Sequence, residues 1–204
     1  TLRVSGVHEE VTVTATPGRI ESTQGAAQSV VVIGPDELER RAKSVVAQAV
    51  EGSPGVHLQR TSSTISGIFV RGLTGNKVNV FVDGVRFSNS AARGGINTFL
   101  NLIDPTSLES VEILRGPSSA QFGSDALGGS VQFLTRAPAL SAGAPVFHAR
   151  TSTFFNSADA GFGTNLTVSY AAKKFGLVTN VAGRRSNGLL VGQGFDSHAA
   201  VTRF

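Results

Sequence analysis

The chain contains no cysteine, methionine or tryptophan, and a single tyrosine among 204 residues. Without cysteine there is neither a disulfide nor a thiolate metal site, a composition compatible with an oxidising compartment. No stretch approaches the ~18 apolar residues of a membrane-spanning helix. The longest apolar runs, such as Val30 to Ile33, are strand-sized. The start lacks the basic, apolar, small-residue grammar of a signal peptide. Histidines are few and scattered, at His8, His57, His148 and His198, with none of the short spacings of a zinc site. No G-x-S-x-G elbow occurs. Residues 72–77, GLTGNK, lack the four-residue glycine gap and the Ser/Thr after Lys of a phosphate loop. No catalytic constellation, metal site or cofactor is therefore expected.

The charge is unevenly distributed. Up to Ala137 there are twelve basic and twelve acidic residues; from Pro138 onward six basic residues face Asp159 and Asp196. The net +4 thus sits in the last third. A nucleic-acid binder carries a basic face interleaved with aromatics, and a neutral domain with a thinly basic extension does not fit that.

Local patterns divide the chain in two. Residues 11–16 alternate Val/Ala with Thr as an extended segment, and Pro17-Gly18 ends it. A flexible stretch runs to Gln28, then an apolar strand over 29–33. Pro35-Asp36-Glu37 opens a helix with proline and acids in its first turn. Ser44 is read as the cap of a second helix over 45–50. Strands are expected over 56–59, 68–71, 78–82, 111–114 and 130–135. Asp104-Pro105 is a helix start, with Asp as N-cap and Pro at the first helical position, and 118–122 suits another helical turn. Gly128-Gly129 permits a sharp reversal into the last of these strands. Past Pro138 the grammar changes to ten-residue segments of alternating hydrophobicity, over 147–155, 163–172, 175–185 and 197–204, the signature of membrane β-barrel strands. In the second, Leu166, Val168 and Tyr170 are expected to face lipid, and Asn165, Thr167 and Ser169 the lumen. A soluble β-sandwich is the alternative. Residues 171–174 form a short turn and 186–196 a longer loop. Four strands cannot close a barrel, and an open edge in hydrocarbon leaves backbone groups unsatisfied. The chain is therefore read as part of a longer protein.

Three motifs follow one another: EEVTVTAT at 9–16, IFVRGLTGNKVNVFVDGVRFSNS at 68–90, and IDPTSLESVEILRGPSSAQFGSDALGGSVQFLTR at 103–136, with PGV at 54–56 between the first two. In order and spacing they resemble the plug domain of TonB-dependent outer-membrane receptors, energised importers of scarce, bulky nutrients. The resemblance implies an α+β plug domain, a short mixed β-sheet with small helices, followed by antiparallel transmembrane strands of an incomplete β-barrel. It divides the chain into an extended segment over 1–28, the plug over 29–137 and barrel strands over 138–204. Such a protein is exported, so a start before Thr1 is expected.

The same resemblance supplies site expectations. Glu10, Val11, Thr12, Val13, Thr14 and Ala15 look like a TonB box, which offers a strand to the periplasmic C-terminal domain of TonB. Arg71, Glu109, Glu112 and Arg115 would form a buried ion network locking plug to wall, with ordinary turn-stabilising hydrogen bonds as the alternative. Apical loops would contribute Arg60, Asn76, Lys77, Phe87, Asn89, Arg93 and Asn97 to a ligand such as a ferric siderophore, haem or cobalamin. The implied setting is the bacterial outer membrane, with its lipid as a further partner and no nucleic acid. The implied function is energy-coupled import, with gating and outer-site binding by this segment. A ligand-sensing signalling receptor and a soluble secreted binding domain are the alternatives.

Overall fold

The computed structural model describes residues 12–16, 19–22, 29–40, 45–62, 65–87 and 99–187. Two short strands come first, β1 (Thr12–Thr16) and β2 (Arg19–Ser22), paired with each other as an antiparallel hairpin. The segment containing β2 had been expected to be flexible.

A five-stranded sheet follows, built from β3 (Ser29–Ile33), β6 (Val78–Val82), β7 (Val85–Arg86), β8 (Leu108–Arg115) and β9 (Gly129–Thr135). Its order is β3-β8-β9-β6-β7, with β6 and β9 parallel and every other pair antiparallel. The expected mixed sheet is thus present, with β8 longer than the pattern suggested. Parity decides its two faces. Val111, Ile113, Val131 and Phe133 point to one side and are fully buried. There they meet Ile33, Val56, Ile68, Val70 and the short helix Val46–Val50 in one core. Burying a ring such as Phe133 contributes about 1.5–3 kcal/mol. The opposite face carries a smaller cluster of Leu114 with Val30, Val32 and Phe122.

The core face is covered by a hairpin of β4 (Val56–Arg60) and β5 (Ser66–Val70). β5 begins at Ser66, two residues before the expected strand. The helix over Val46–Val50 is 3-10 rather than α-helical, with the Val45 N–H donating to Gln48 Oε1 at 3.2 Å. Ser44, expected to cap it, lies outside the described residues. The first helix, α1 (Pro35–Arg40), buries Leu38 alone. Asp104 caps the turn Pro105–Ser107, its Oδ1 accepting from the Thr106 N–H at 2.8 Å. The helical turn α2 (Ser119–Phe122) is held by buried Asn79, whose amide donates to the carbonyls of Phe122 and Ser124 at 3.2 and 3.0 Å.

Three long antiparallel strands complete the described chain: β10 (Val146–Asn156), β11 (Gly161–Ala171) and β12 (Gly176–Arg185). Asn165 and Thr167 face inward and are buried, whereas Leu166 and Tyr170 share the outer face with Val168, as the alternation predicted. The outer face is exposed and apolar, with Phe155 opposite Phe162 near one end and Phe147 opposite Tyr170 near the other. Eight residues separate the two aromatic rows along β11, about 26 Å of strand, which suits the apolar band of an outer-membrane wall. On the inner face the Phe154 ring folds over Gly163, whose missing side chain leaves the space. The fourth expected strand, 197–204, lies outside the described residues.

Candidate functional site

Two arginines gather at the end of the sheet where β8 stops. Arg71 follows β5 in the left-handed region, φ 52°, and its N–H donates to the Gly55 carbonyl at 2.9 Å. Its guanidinium lies over Gly116, with Nη1 3.0 Å from where a Cβ would stand. Arg115 crosses the other way, its stem running past Gly55. It donates through Nη1 to the Pro54 carbonyl at 3.0 Å and through Nη2 to the Ser29 hydroxyl. Each arginine thus packs on a glycine beside the other. The space over Gly116 is taken by Arg71 and that over Gly55 by Arg115, whereas nothing lies within 4 Å of a carbon added at Gly72. Arg115 Nε is buried without a partner.

The acids expected beside them lie elsewhere. Glu112 and Arg115 are three residues apart on one strand, so their side chains leave opposite faces; Glu112 is buried on its own face. Glu109 lies toward the other end of β8, its Oε2 3.9 Å from Arg136 Nε. Among the described residues no carboxylate is within ion-pair distance of Arg71 or Arg115. The expected four-residue network is therefore assembled only as an arginine pair.

A different ion cluster sits where the five-stranded unit meets the long strands. Glu39 on α1 accepts from both terminal nitrogens of Arg150 on β10, Nη2 reaching Oε2 at 2.5 Å. Arg136, just past β9, donates to Glu39 at 3.3 Å and to the Leu108 carbonyl at 3.3 Å. Burial pushes the Glu39 carboxyl up, but hydrogen bonding and charge from Arg150 and then Arg136 outweigh it, so its pKa lies below the ordinary glutamate value. A depressed folded pKa means the cluster's contribution is present above the unfolded value and is lost as pH falls through the folded one. A neutral tie lies nearby: Asn180 on β12 donates to the hydroxyls of Thr106 and Thr167 at 3.2 and 2.8 Å. Sequence reading missed Glu39 and Arg150 because their only signal is mutual and they stand 111 positions apart.

The ligand candidates are dispersed. Asn76 and Lys77 occupy the exposed turn Gly75–Lys77 at the start of β6. Phe87 is exposed beyond β7, its N–H bonded to the Val80 carbonyl at 2.7 Å. Arg60 ends β4, with Nη2 buried and unpartnered. No hydrogen bond or ion pair joins these four. Asn89, Arg93 and Asn97 lie outside the described residues, as do Glu10 and Val11. Thr12, Val13, Thr14 and Ala15 form most of β1, opposite β2. A groove of about 880 Å³ on the sheet's second face, between Phe81, Phe122 and Gln132, includes none of these ligand candidates, although Glu109 lines it.

Comparison with known proteins gives a consistent picture. Residues 22–130, just over half of the chain, match the family model described as TonB-dependent receptor plug domain. The vitamin B12 transporter BtuB of Vibrio vulnificus strain CMCP6 is 32% identical over 148 residues, 71% of this chain and 24% of that protein. The ferrioxamine B receptor of Salmonella typhimurium strain LT2 is 35% identical over 123 residues, 58% of this chain and 17% of the relative. The chain thus spans about a quarter or less of these relatives' length. Among solved structures, the pyoverdine outer membrane receptor FpvA of Pseudomonas aeruginosa PAO1, bound to pyoverdine, superposes with a TM-score of 0.65 at 16% identity. That match covers 86% of this chain and 24% of FpvA, a likeness of fold.

Proposed function

The chain belongs to the TonB-dependent receptor plug domain family, an outer-membrane family of Gram-negative bacteria, and from that premise we propose that it gates energy-coupled import. In this reading residues 29–137 are a plug that closes the lumen and residues 138–204 begin the barrel around it. Residues 10–15 within the first 28 are the box that the periplasmic C-terminal domain of TonB engages by strand addition. The cargo is a scarce, bulky nutrient of the ferric siderophore, haem or cobalamin type. The work is transport rather than catalysis.

One observation carries the reading. The last strand of the mixed sheet leads through residues 136–145 into strands whose inner side chains bond to the plug at Glu39 and Thr106 and whose outer face is exposed and apolar. A plug tied to its own wall is what a gated barrel requires. The test is uptake by a strain whose sole receptor of this type is the intact protein carrying this chain, supplied with single iron or cobalamin sources. Import of one source, abolished in cells lacking TonB, is expected. TonB-independent growth on every source would overturn the reading.

Arg71 and Arg115 keep a locking role in this proposal, with partners on wall strands beyond those described. Arg115 also ties the Pro54 turn to the start of β3. Arg115→Ala removes charged hydrogen bonds worth about 2 kcal/mol or more together. We expect it to loosen the plug and admit bulky antibiotics, while Arg93→Ala alters ligand binding alone. Antibiotic sensitivity at matched receptor levels checks this, and equal wild-type permeability in both would leave Arg115 a turn residue.

A further inference from the structure

We propose that Glu39 is an ionic latch that fixes the plug's first helix to the barrel wall and keeps the lumen shut at rest. This rests on the gating reading above, and it names a closure point away from the arginine pair.

The argument begins with α1, six residues long, whose buried side chain is Leu38. So small an apolar anchor leaves the helix's position dependent on its polar contacts. Glu39, the next residue, supplies one of unusual quality. Both its oxygens are gripped by the Arg150 fork, the bidentate geometry that makes such pairs directional as well as strong. Arg136 shares the carboxylate and leans on Glu109, so the charges form a chain rather than a pair. An isolated exposed pair contributes little, whereas a geometrically good network is the recognised exception.

Placement gives the cluster its meaning. Arg150 lies on the inner face of β10, as does Ser152, which accepts from inward-facing Asn165. Its guanidinium therefore reaches into the lumen. The three elements joined are the first plug helix, the exit of the last plug strand and the first wall strand. An ion pair can part and re-form without unfolding either side, which suits a closure that must be reversible.

The intact receptor tests this without substrate or TonB, in planar bilayers. Glu39→Gln and Arg150→Gln are each expected to raise the open fraction about tenfold, corresponding to about 1.4 kcal/mol. The reversed pair, Glu39→Arg with Arg150→Glu, should return conductance toward wild type, because Glu109 remains for Arg136. Heat-modifiable migration confirms that each variant is a folded barrel. Folded single variants with wild-type conductance, or a folded reversed pair as leaky as the singles, would overturn the latch. Uptake by the wild-type receptor is scored separately. Loss of the import reading would show as no TonB-dependent uptake, whatever the conductances; failure of the latch alone leaves that uptake intact.

Discussion

A receptor carrying Val13→Pro is expected to bind its substrate at the cell surface and fail to import it. Residues 12–16 form β1, a strand in a two-stranded hairpin, and Val13 is paired with Glu21. A strand so placed can accept a further strand along its remaining edge, and main-chain hydrogen bonds then carry the affinity. Each contributes about 1 kcal/mol net. Proline removes a donor and fixes φ, so losing two or three bonds weakens engagement by about thirtyfold to a hundredfold. Val13→Thr keeps the backbone and the β-branched side chain, and its uptake should stay near wild type. Surface binding and energised uptake of one labelled substrate, measured side by side, separate these outcomes. Normal import by the proline variant would remove the box assignment.

The largest effect on stability is expected at Gly129. This residue opens β9 at φ +152°, opposite Arg115 on β8. A Cβ there would collide with the Leu114 carbonyl oxygen and stand 3.1 Å from Val70 Cγ1. The collision is with the backbone of an adjacent strand, so rotamer changes cannot relieve it. Gly129→Ala should therefore destabilise the plug by about 3 kcal/mol or more. Gly143→Ala is the control, since nothing lies within 4 Å of its added carbon. Denaturant midpoints of the two variants, followed by plug proteolysis, check the difference. A Gly129→Ala midpoint equal to that of Gly143→Ala would mean that the strands separate more readily than their pairing indicates.

What could be read from the sequence was governed by how local the signal is. Asp104-Pro105 announces a capped turn because cap and first helical residue are adjacent, and the turn is there. The inward and outward sides of β11 follow from a period of two over ten residues. The pairing of β1 with β2 was not legible: Arg-Ile-Glu-Ser is too short to show a period. Nor was β7, two residues beyond the Asp83-Gly84 turn, although Asp83 proves to cap Thr135 through both its N–H and its hydroxyl. Nearness in sequence misled for Glu112 and Arg115, which strand parity sends apart. Distance in sequence hid Glu39 and Arg150, since the attraction of opposite charges leaves no mark in either neighbourhood. The TonB box, the apical ligand residues and the domain limits are legible only as motif resemblance, because no local periodicity specifies them.

The position of β9 has a bearing on biogenesis. It is the last strand of the five to leave the ribosome and lies in the middle of the sheet, between β8 and β6. Its partnership with β6 is parallel, joining Val78 to Gly129 across about fifty intervening residues. The earlier segments on their own have a gap where their central strand belongs, and such long-range closure is slow. The sheet becomes complete only when Thr135 has been delivered, one linker ahead of the first wall strand. Until Thr135 is in place the strands on either side, β8 and β6, have no partner between them, so the sheet is completed from its middle and last.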